Sequence, residues 1–511
     1  MDEFIKGKIK KVDELEKIVA KLKKKGKKVV QCHGAFDLVH PGHLYHFEAA
    51  KRHGEVLIVS ITADEFVRKG PSRPIFPEAV RAKNLANFHI VDYVLIHHDV
   101  SAVNLLKKIR PDVYFKGQEY ESALSDPNRN LFKEAKAVES FGGKIMFSHE
   151  ETFSSSKLLK NFFDIYPEDT KAFLKNFENR YTSKDITNFF KDIENIKVLV
   201  IGETIIDEYN YVKPMGKVPK DNLVASKYLT KEIFAGGILA VANHIAGFCN
   251  NVDLVSALGG KSSHENFVRN NLKKNVNAKF FFEEEGKTIL KKRFLDSAFF
   301  NKMFEVYYFD DKDISESLSK KITKYLENVI SKYDLVIVND YGHGFFTQEI
   351  IDVLIKKANF LAVNTQTNSA NFGFNLITKY SKANYVCIDE PEARLATQKK
   401  RGDICEVADE IFKKINVKEL IITRGHLGSV AKEKGKKVSK VPVFSVDIVD
   451  RVGAGDAFFA ITSLLAVKKE VPMEALAFVG NAVGALQVAV MGNKTPVEQI
   501  KLFKFIQTLL K

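Results

Sequence analysis

The sequence predicts an α/β protein made of two doubly wound, parallel-sheet domains joined by a helical connector. Three observations predict this. Strand-like runs alternate with helical segments over residues 1–155, and the alternation resumes at Lys197 and runs to the C-terminus. Between them, from Ser156 to about Asn195, the chain changes to helical stretches rich in Phe, Lys and Asp. Each α/β part also holds a glycine-bearing turn that opens an apolar helix, "GAFDLVHPGH" in the first and "DRVGAGD" in the second. The expected division is therefore 1–155, 156–195 and 196–511.

In the first domain the strands are "VVQC", "EVLIVSI", "VDYVLIH", "DVYF" and "GKIMF", with helices beginning near Pro41, Pro77, Ser101 and Asn128. Pro41 suits a first helical position, where its missing N–H costs nothing. The connector reads as "KLLKNFFDIY", "DTKAFLKNF" and "SKDITNFFKDIEN". The second domain opens with "KVLVIGETIIDEY" and continues through the strands "DLVIVND", "FLAVNT", "YVCID" and "ELIITRG". In such sheets ligands lie beyond the carboxyl ends of the strands, which is where Gly34 to His43 fall.

Composition narrows the function classes. The chain has 511 residues, 45% hydrophobic and 28% charged, the balance of a soluble globular protein. The most apolar run, "ALAFVGNAVGALQVAVMG", carries Asn481 and Gln487 and reads as a buried helix, so no membrane partner is expected. The N-terminal stretch lacks the apolar core of a signal peptide, and Cys32, Cys249, Cys387 and Cys405 form no CxxC. Both features imply a cytoplasmic protein with neither a disulfide frame nor a cysteine-bound zinc. The net charge of +14 comes from lysines spread over surface helices ("KLKKKGKK", "KEKGKKVSK"), without the aromatic-studded basic face of a nucleic-acid binder.

The first candidate site is "GAFDLVHPGH". His40 and His43 are three residues apart, so one helical turn brings both over one point at a helix N-terminus, where free amides favour anions. Imidazoles there can hold the oxygens of a nucleoside triphosphate as its α-phosphorus is attacked. Gly34 and Gly42 let a nucleotide approach the backbone, and Asp37 can cap the turn. Of the other histidines, His46 and His53 follow on the same helix, and His97 and His98 precede Asp99 at a strand end. They do not complete a zinc ligand set and read as loop and helix-surface residues; magnesium arriving with the triphosphate is expected instead.

These residues resemble the signature of the HxGH nucleotidyltransferases of the cytidylyltransferase-like superfamily. More specifically they resemble the nucleotidyltransferase domain of bacterial bifunctional ADP-heptose synthases. "KGPSRPIF" (Lys69, Gly70, Arg73), Arg81 in "EAVRAKNL", "RPDVYFKGQEY" (Lys116, Gly117, Tyr120) and "TFSSSKLL" extend the match. The resemblance implies a HUP-type fold. It also implies nucleotide or phosphate contacts by Gly34, Phe36, Asp37, Lys69, Arg73, Arg81 and Lys116, and by Ser154, Ser155 and Ser156 at the start of a helix.

The second candidate site is "DIVDRVGAGDAFFAITSLLA". Gly453, Ala454 and Gly455 expose amides where an apolar helix starts, suited to charge on a transferring γ-phosphate. Asp456 beside them suits either a helix cap or a base that takes the proton of an attacking hydroxyl. The stretch resembles the C-terminal signature of ribokinase-like (PfkB-type) sugar kinases, and closest of all the kinase half of ADP-heptose synthases, with the two domains in the opposite order. The resemblance implies a ribokinase-like fold, Asp207 and the Gly236–Gly237 pair as sugar-binding residues, and Asp456 as base. It also implies Glu392 as the residue that meets Mg2+.

Several positions depart from that family pattern. Ala240 replaces an asparagine after the Gly-Gly pair, His343 a lysine, and Asn364-Thr365-Gln366 a "DPK" stretch. Asp389-Glu390-Pro391-Glu392 stands for Asn-x-x-Glu, and Arg451-Val452 precedes the GAGD turn in place of a small hydroxyl residue. The expected protein is a homo-oligomeric enzyme that uses ATP (or CTP) and Mg2+. It would phosphorylate a sugar or sugar phosphate, weakly if that is heptose 7-phosphate, and join a sugar phosphate to a nucleotide for surface polysaccharide. The alternative is a cytidylyltransferase for another sugar or alditol phosphate, whose kinase-like domain has lost catalysis and serves as a ligand-sensing or dimerising module.

Overall fold

The computed structural model describes residues 3–67, 74–117, 130–148, 166–299, 301–445 and 448–510. The chain divides into two compact units, Met1–Ile165 and Tyr166–Leu510, both α/β.

In the first unit the strands β1 (Val29–Gly34), β2 (Val56–Thr62), β3 (Tyr93–His97), β4 (Val113–Gly117) and β5 (Lys144–Ser148) form one sheet of order β3-β2-β1-β4-β5. Every pairing is parallel. A parallel sheet is buried on both faces, which explains why β2 has no outward polar alternation. Helices Pro41–Lys51 and Glu78–Ala86 cover one face, where Phe47, Ala50, Ala82 and Leu85 meet Val30, Cys32, Leu57 and Val59. Helices Val12–Lys24 and Val103–Ile109 cover the other, with Leu15, Val19 and Leu105 against Val29, Ile58 and Leu95. Strand order reverses between β1 and β4, so the loop after β1 opens at the switch point of the sheet.

The second unit has a nine-stranded sheet. Its strands are β6 (Lys197–Gly202), β9 (Asn251–Lys261), β10 (Val276–Lys287), β13 (Leu335–Asp340), β14 (Leu361–Thr365), β15 (Lys382–Asp389), β16 (Asn416–Thr423), β17 (Ser429–Glu433) and β18 (Ser439–Val441). The order is β10-β9-β6-β13-β14-β15-β16-β17-β18, antiparallel only at β16–β17 and β17–β18. Helices Ala454–Ala466 and Met473–Gln487 fill one face, and helices Glu316–Val329, Gln348–Lys357 and Ile404–Lys414 the other. Met473–Gln487 is the apolar run noted above; inside the fold, Asn481 donates to Ser429 Oγ at 3.0 Å and to the Val441 carbonyl at 3.1 Å. Among the described residues no helix is long and apolar enough to cross a membrane.

A second sheet was not foreseen. β7 (Thr204–Lys217), β8 (Val224–Gly237), β11 (Ile289–Asp296) and β12 (Lys302–Tyr308) pair in the order β12-β11-β7-β8. Their mixed charged and apolar residues hide the pattern, since much of β8 and β12 is exposed.

The stretch read as a connector contributes its described part to the second unit. Leu174 and Phe177 of helix Glu168–Glu178, Ile186 of helix Ser183–Asn188, Phe190 and Ile193 all belong to the core under Ala454–Ala466 and Met473–Gln487. Phe177 stacks on Phe478 with ring centroids 4.4 Å apart, and the Arg180 guanidinium grips the Glu474 carboxylate through both oxygens. Phe177 is fully buried, so Phe177→Ala is expected to destabilise the second unit by about 3–5 kcal/mol. Chemical denaturation checks this; an unchanged midpoint would mean that the segment does not carry that core.

Candidate active sites

In the first unit, β1 ends at Gly34 and the chain turns into helix Pro41–Lys51. Phe36 adopts a positive φ of 44° and packs its ring on His43 and Phe47. His40 is the N-cap residue, Pro41 follows at the helix start, and the ring centroids of His40 and His43 lie 3.9 Å apart. The sequence spacing thus brings the two imidazoles together. The His40 backbone N–H donates to His43 Nδ1 at 3.3 Å, so the proton of a neutral His43 resides on Nε2.

Other predicted residues make contacts within the first unit. The Arg81 side chain is 1% exposed; its guanidinium donates to the carbonyls of Ala35, Thr62 and Phe76 and pairs with Asp64. These contacts engage the guanidinium within the protein. Asp37 is buried and accepts the amides of Ile75 at 2.6 Å and Phe76 at 3.4 Å, tying the loop after β1 to the start of helix Glu78–Ala86. Lys116 on β4 is buried and donates to the His33 carbonyl at 3.1 Å. His97, expected at the surface, is only 7% exposed because the following loop folds back and its Ser101 carbonyl meets Nε2 at 2.9 Å. His46 lies against Phe115 and Ser148, and burial lowers its pKa to about 4. Lys69, Gly70, Arg73, Tyr120, Ser154, Ser155 and Ser156 lie outside the described residues.

In the second unit, Gly453 has a φ of 80° and Ala454 starts helix Ala454–Ala466. A Cβ on Gly453 would fall 2.0 Å from Asn493 Oδ1, so only glycine fits there. Asp456, one turn in, is buried, and its Oδ1 accepts Asn339 Nδ2 at 2.9 Å and Gln366 Nε2 at 2.6 Å. Asn339 is the penultimate residue of β13 and Gln366 follows β14, so two central strands aim amide donors at this carboxylate from their carboxyl ends. Burial raises the Asp456 pKa above the usual carboxylate range; Asn339, Tyr341 and Gln366 pull it back in part, and the Asp207 charge adds to the rise.

Asp207 is buried on β7 and ion-pairs with Arg293 of β11, which also binds Glu305 at 3.0 Å. Gly236 faces Asp207 so closely that a Cβ would lie 2.1 Å from its Oδ2. Ala240 is buried in helix Ile238–Ile245. Asp450 accepts Lys302 Nζ at 2.6 Å, Tyr209 OH at 2.7 Å and the amides of Val452 and Gly492. Lys291 and Arg293 went unnoticed in the sequence, although buried Lys291, Arg293 and Leu295 alternate along β11 with an i, i+2 spacing that was a readable signal.

The turn Tyr341–Gly344 is held by Glu203, whose carboxylate accepts the amides of Tyr341 and His343 at 3.0 Å each. Burial and the nearby Asp340 charge push Glu203 up to about 7, and burial takes His343 down to about 3. His343 is therefore uncharged where the family pattern has a lysine. Glu392 caps helix Glu390–Thr397: its oxygens take the amides of Thr367 and Asp389 at 2.9 and 2.8 Å. Burial and the adjacent Asp389 hold its pKa well above the usual range. Both Glu392 oxygens thus already accept backbone amides, and the described residues contain no group of three or more His, Cys, Asp or Glu side chains able to hold a metal.

Comparison with known proteins agrees with the two-unit division of chemistry. Residues 32–162 match the model of the cytidylyltransferase-like family. The bifunctional protein HldE of Campylobacter jejuni (strain RM1221) is 36% identical over 157 residues, 30% of this chain and 32% of that protein. Its namesake from Aliarcobacter butzleri is 41% identical over 138 residues, 27% of this chain and 29% of the other. The matches thus span about a third of the length of these relatives. The crystal structure of phosphofructokinase-2 from Escherichia coli in complex with potassium superposes with a TM-score of 0.51 at 14% identity, covering 62% of this chain and 100% of that one, a likeness of fold. Residues 195–500, more than half of the chain, match the model of the pfkB family carbohydrate kinases, and the chain belongs to that family.

Proposed function

We propose that the chain is a bifunctional enzyme of activated-sugar synthesis in the cytoplasm. Its second unit phosphorylates a sugar or sugar phosphate from ATP. Its first unit joins a sugar phosphate to the nucleotidyl group of ATP or CTP and releases pyrophosphate. One observation carries this reading: in each unit a helix N-terminus at the carboxyl end of a parallel sheet holds its reactive side chains, His40 and His43 in one and Asp456 in the other.

In the first unit, His43 Nε2–H and the amides of the helix start would stabilise charge on the α-phosphate as the sugar phosphate attacks and the bond to pyrophosphate breaks. In the second, Asp456 would take the proton of the attacking sugar hydroxyl while the amides around Ala454 receive the charge of the transferring phosphoryl group. Magnesium would be carried by the triphosphate rather than by Glu392. One observation favours a second reading, in which the kinase-like unit senses a ligand: Asp207, expected to hold sugar hydroxyls, already spends one oxygen on Arg293.

Two experiments test the assignment. His43→Ala is expected to slow pyrophosphate release by roughly 100-fold or more while sugar-dependent ADP formation stays within about twofold. Asp456→Asn is expected to do the reverse. Separate assays on the same purified variants measure both; if Asp456→Asn silences pyrophosphate release in a folded protein, the sensing reading replaces the kinase one.

The second experiment uses pH. Asp456 acts as base only when ionised, so kcat/KM for sugar phosphorylation should fall with decreasing pH through a value above the ordinary carboxylate pKa of about 4. Gln366→Leu removes a donor that favours the ionised form and should move this acid limb to still higher pH. An unmoved limb in a pH–rate profile would assign the base elsewhere.

A further inference from the structure

We infer that His33 and His97 form a pair of hydrogen-bond acceptors that receives hydroxyl protons of the sugar-phosphate acceptor in the first unit. The inference rests on the proposed nucleotidyl transfer and adds the residues that read the acceptor.

His33 lies near the end of β1, in register with Ser60 of β2 and one position past the Cys32–Phe115 pairing of β1 with β4. His97 is the last residue of β3. Side chains alternate between sheet faces, and Val30 and Cys32 belong to the core under helix Pro41–Lys51. Gln31 and His33 therefore point to the opposite face. There the His33 and His97 rings meet edge to face with centroids 5.7 Å apart.

The hydrogen bonds determine which nitrogen of each ring carries the proton. Ser60 Oγ donates its one hydrogen to the Cys32 carbonyl at 3.1 Å, which can only accept. The contacts from Gln31 Nε2 and His33 Nδ1, both 3.0 Å from Ser60 Oγ, must then be donations, so His33 carries its proton on Nδ1 and a lone pair on Nε2. His97 Nε2 faces the Ser101 carbonyl and must donate, which leaves the lone pair on Nδ1. Burial and the Lys116 charge hold His33 well below its ordinary pKa, so it stays uncharged near neutral pH. Two imidazoles that commonly donate are thus both turned into acceptors beside the Lys116 ammonium.

This combination selects a ligand class. The hydroxyls of a sugar rotate and can donate to both acceptor nitrogens. Lys116 supplies positive charge for the phosphate of the same molecule. The location agrees with the reaction. The His40–His43 helix N-terminus serves the triphosphate from one face, and in-line displacement brings the attacking oxygen from the side opposite the leaving pyrophosphate.

The test uses the full chain with mannose 1-phosphate and heptose 1-phosphate as probes. His33→Asn keeps a donor for Ser60 and loses the acceptor at the ε position; His33→Gln restores an acceptor there. His97→Gln keeps the donor to Ser101 and loses the acceptor at the δ position. His33→Asn and His97→Gln are each expected to weaken sugar-phosphate binding by calorimetry, and to raise its KM, by about fivefold or more. The KM for the nucleotide should stay within about twofold, and His33→Gln should recover most of the loss. The ring nitrogens in 15N NMR spectra should report the Nδ1–H form for His33 and the Nε2–H form for His97. Unchanged sugar-phosphate affinity in both variants, a rise in nucleotide KM instead, opposite tautomers, or no binding of either probe by the parent chain overturns the pair. If the parent binds a probe, the variants lose it and no pyrophosphate is released with any nucleotide, the pair stands and the transfer reading fails.

Discussion

In both units parallel strands carry apolar side chains on both faces, so helices must cover both, and the rim where the strands end is the place left for polar groups. The rest of the molecule follows from this burial. Val30 and Cys32 pack under the histidine-bearing helix while Gln31 and His33 turn to the other side of the same strand. Asp456 enters a helix buried on every side, and the ends of β13 and β14 are the neighbours that can supply its donors. A carboxylate placed there without them would face the full cost of desolvation.

The second unit handles several buried acids, and each has a partner from an element distant in sequence. Arg293 answers Asp207, Lys302 and Tyr209 answer Asp450, and Lys379 and Tyr380 answer Asp340. Removing one member of such a pair leaves an uncompensated charge, which is costlier than the pair is stabilising. The four-stranded sheet supplies Arg293 and Lys302, so its docking and the charge balance around Asp207 and Asp450 are one arrangement.

The substitutions relative to the kinase pattern also have a physical logic. Gln366 stands where the pattern has a lysine and spends its amide on Asp456. His343 replaces another lysine and is kept neutral by burial, packed edge to face on Phe309. Two positive charges are thereby absent from the neighbourhood of Asp456, and the remaining donors are amides and a phenol. Asp456 is held by dipoles rather than by ions; they offset only part of the rise that burial imposes, so its pKa stays above the ordinary range.

The sequence by itself determined the α/β class, most strands of the two main sheets, the helix start at Pro41 and the glycine turn before the helix that carries Asp456, because periodicity, glycine and proline act over a few residues. The spacing of His40 and His43 was legible for the same reason. The folded structure alone decided that Arg81 is an internal strut, that residues 166–195 join the core of the second unit and that a four-stranded sheet exists. It also decided the partners of Asp456 and Asp207 and the tautomers of His33 and His97. Each of these depends on contacts between residues far apart in the chain: Arg293 lies 86 positions from Asp207, and Asn339 117 from Asp456. Local pattern carries no information about which distant donor a buried acid will meet, since burial and pairing arise together only when the sheets close.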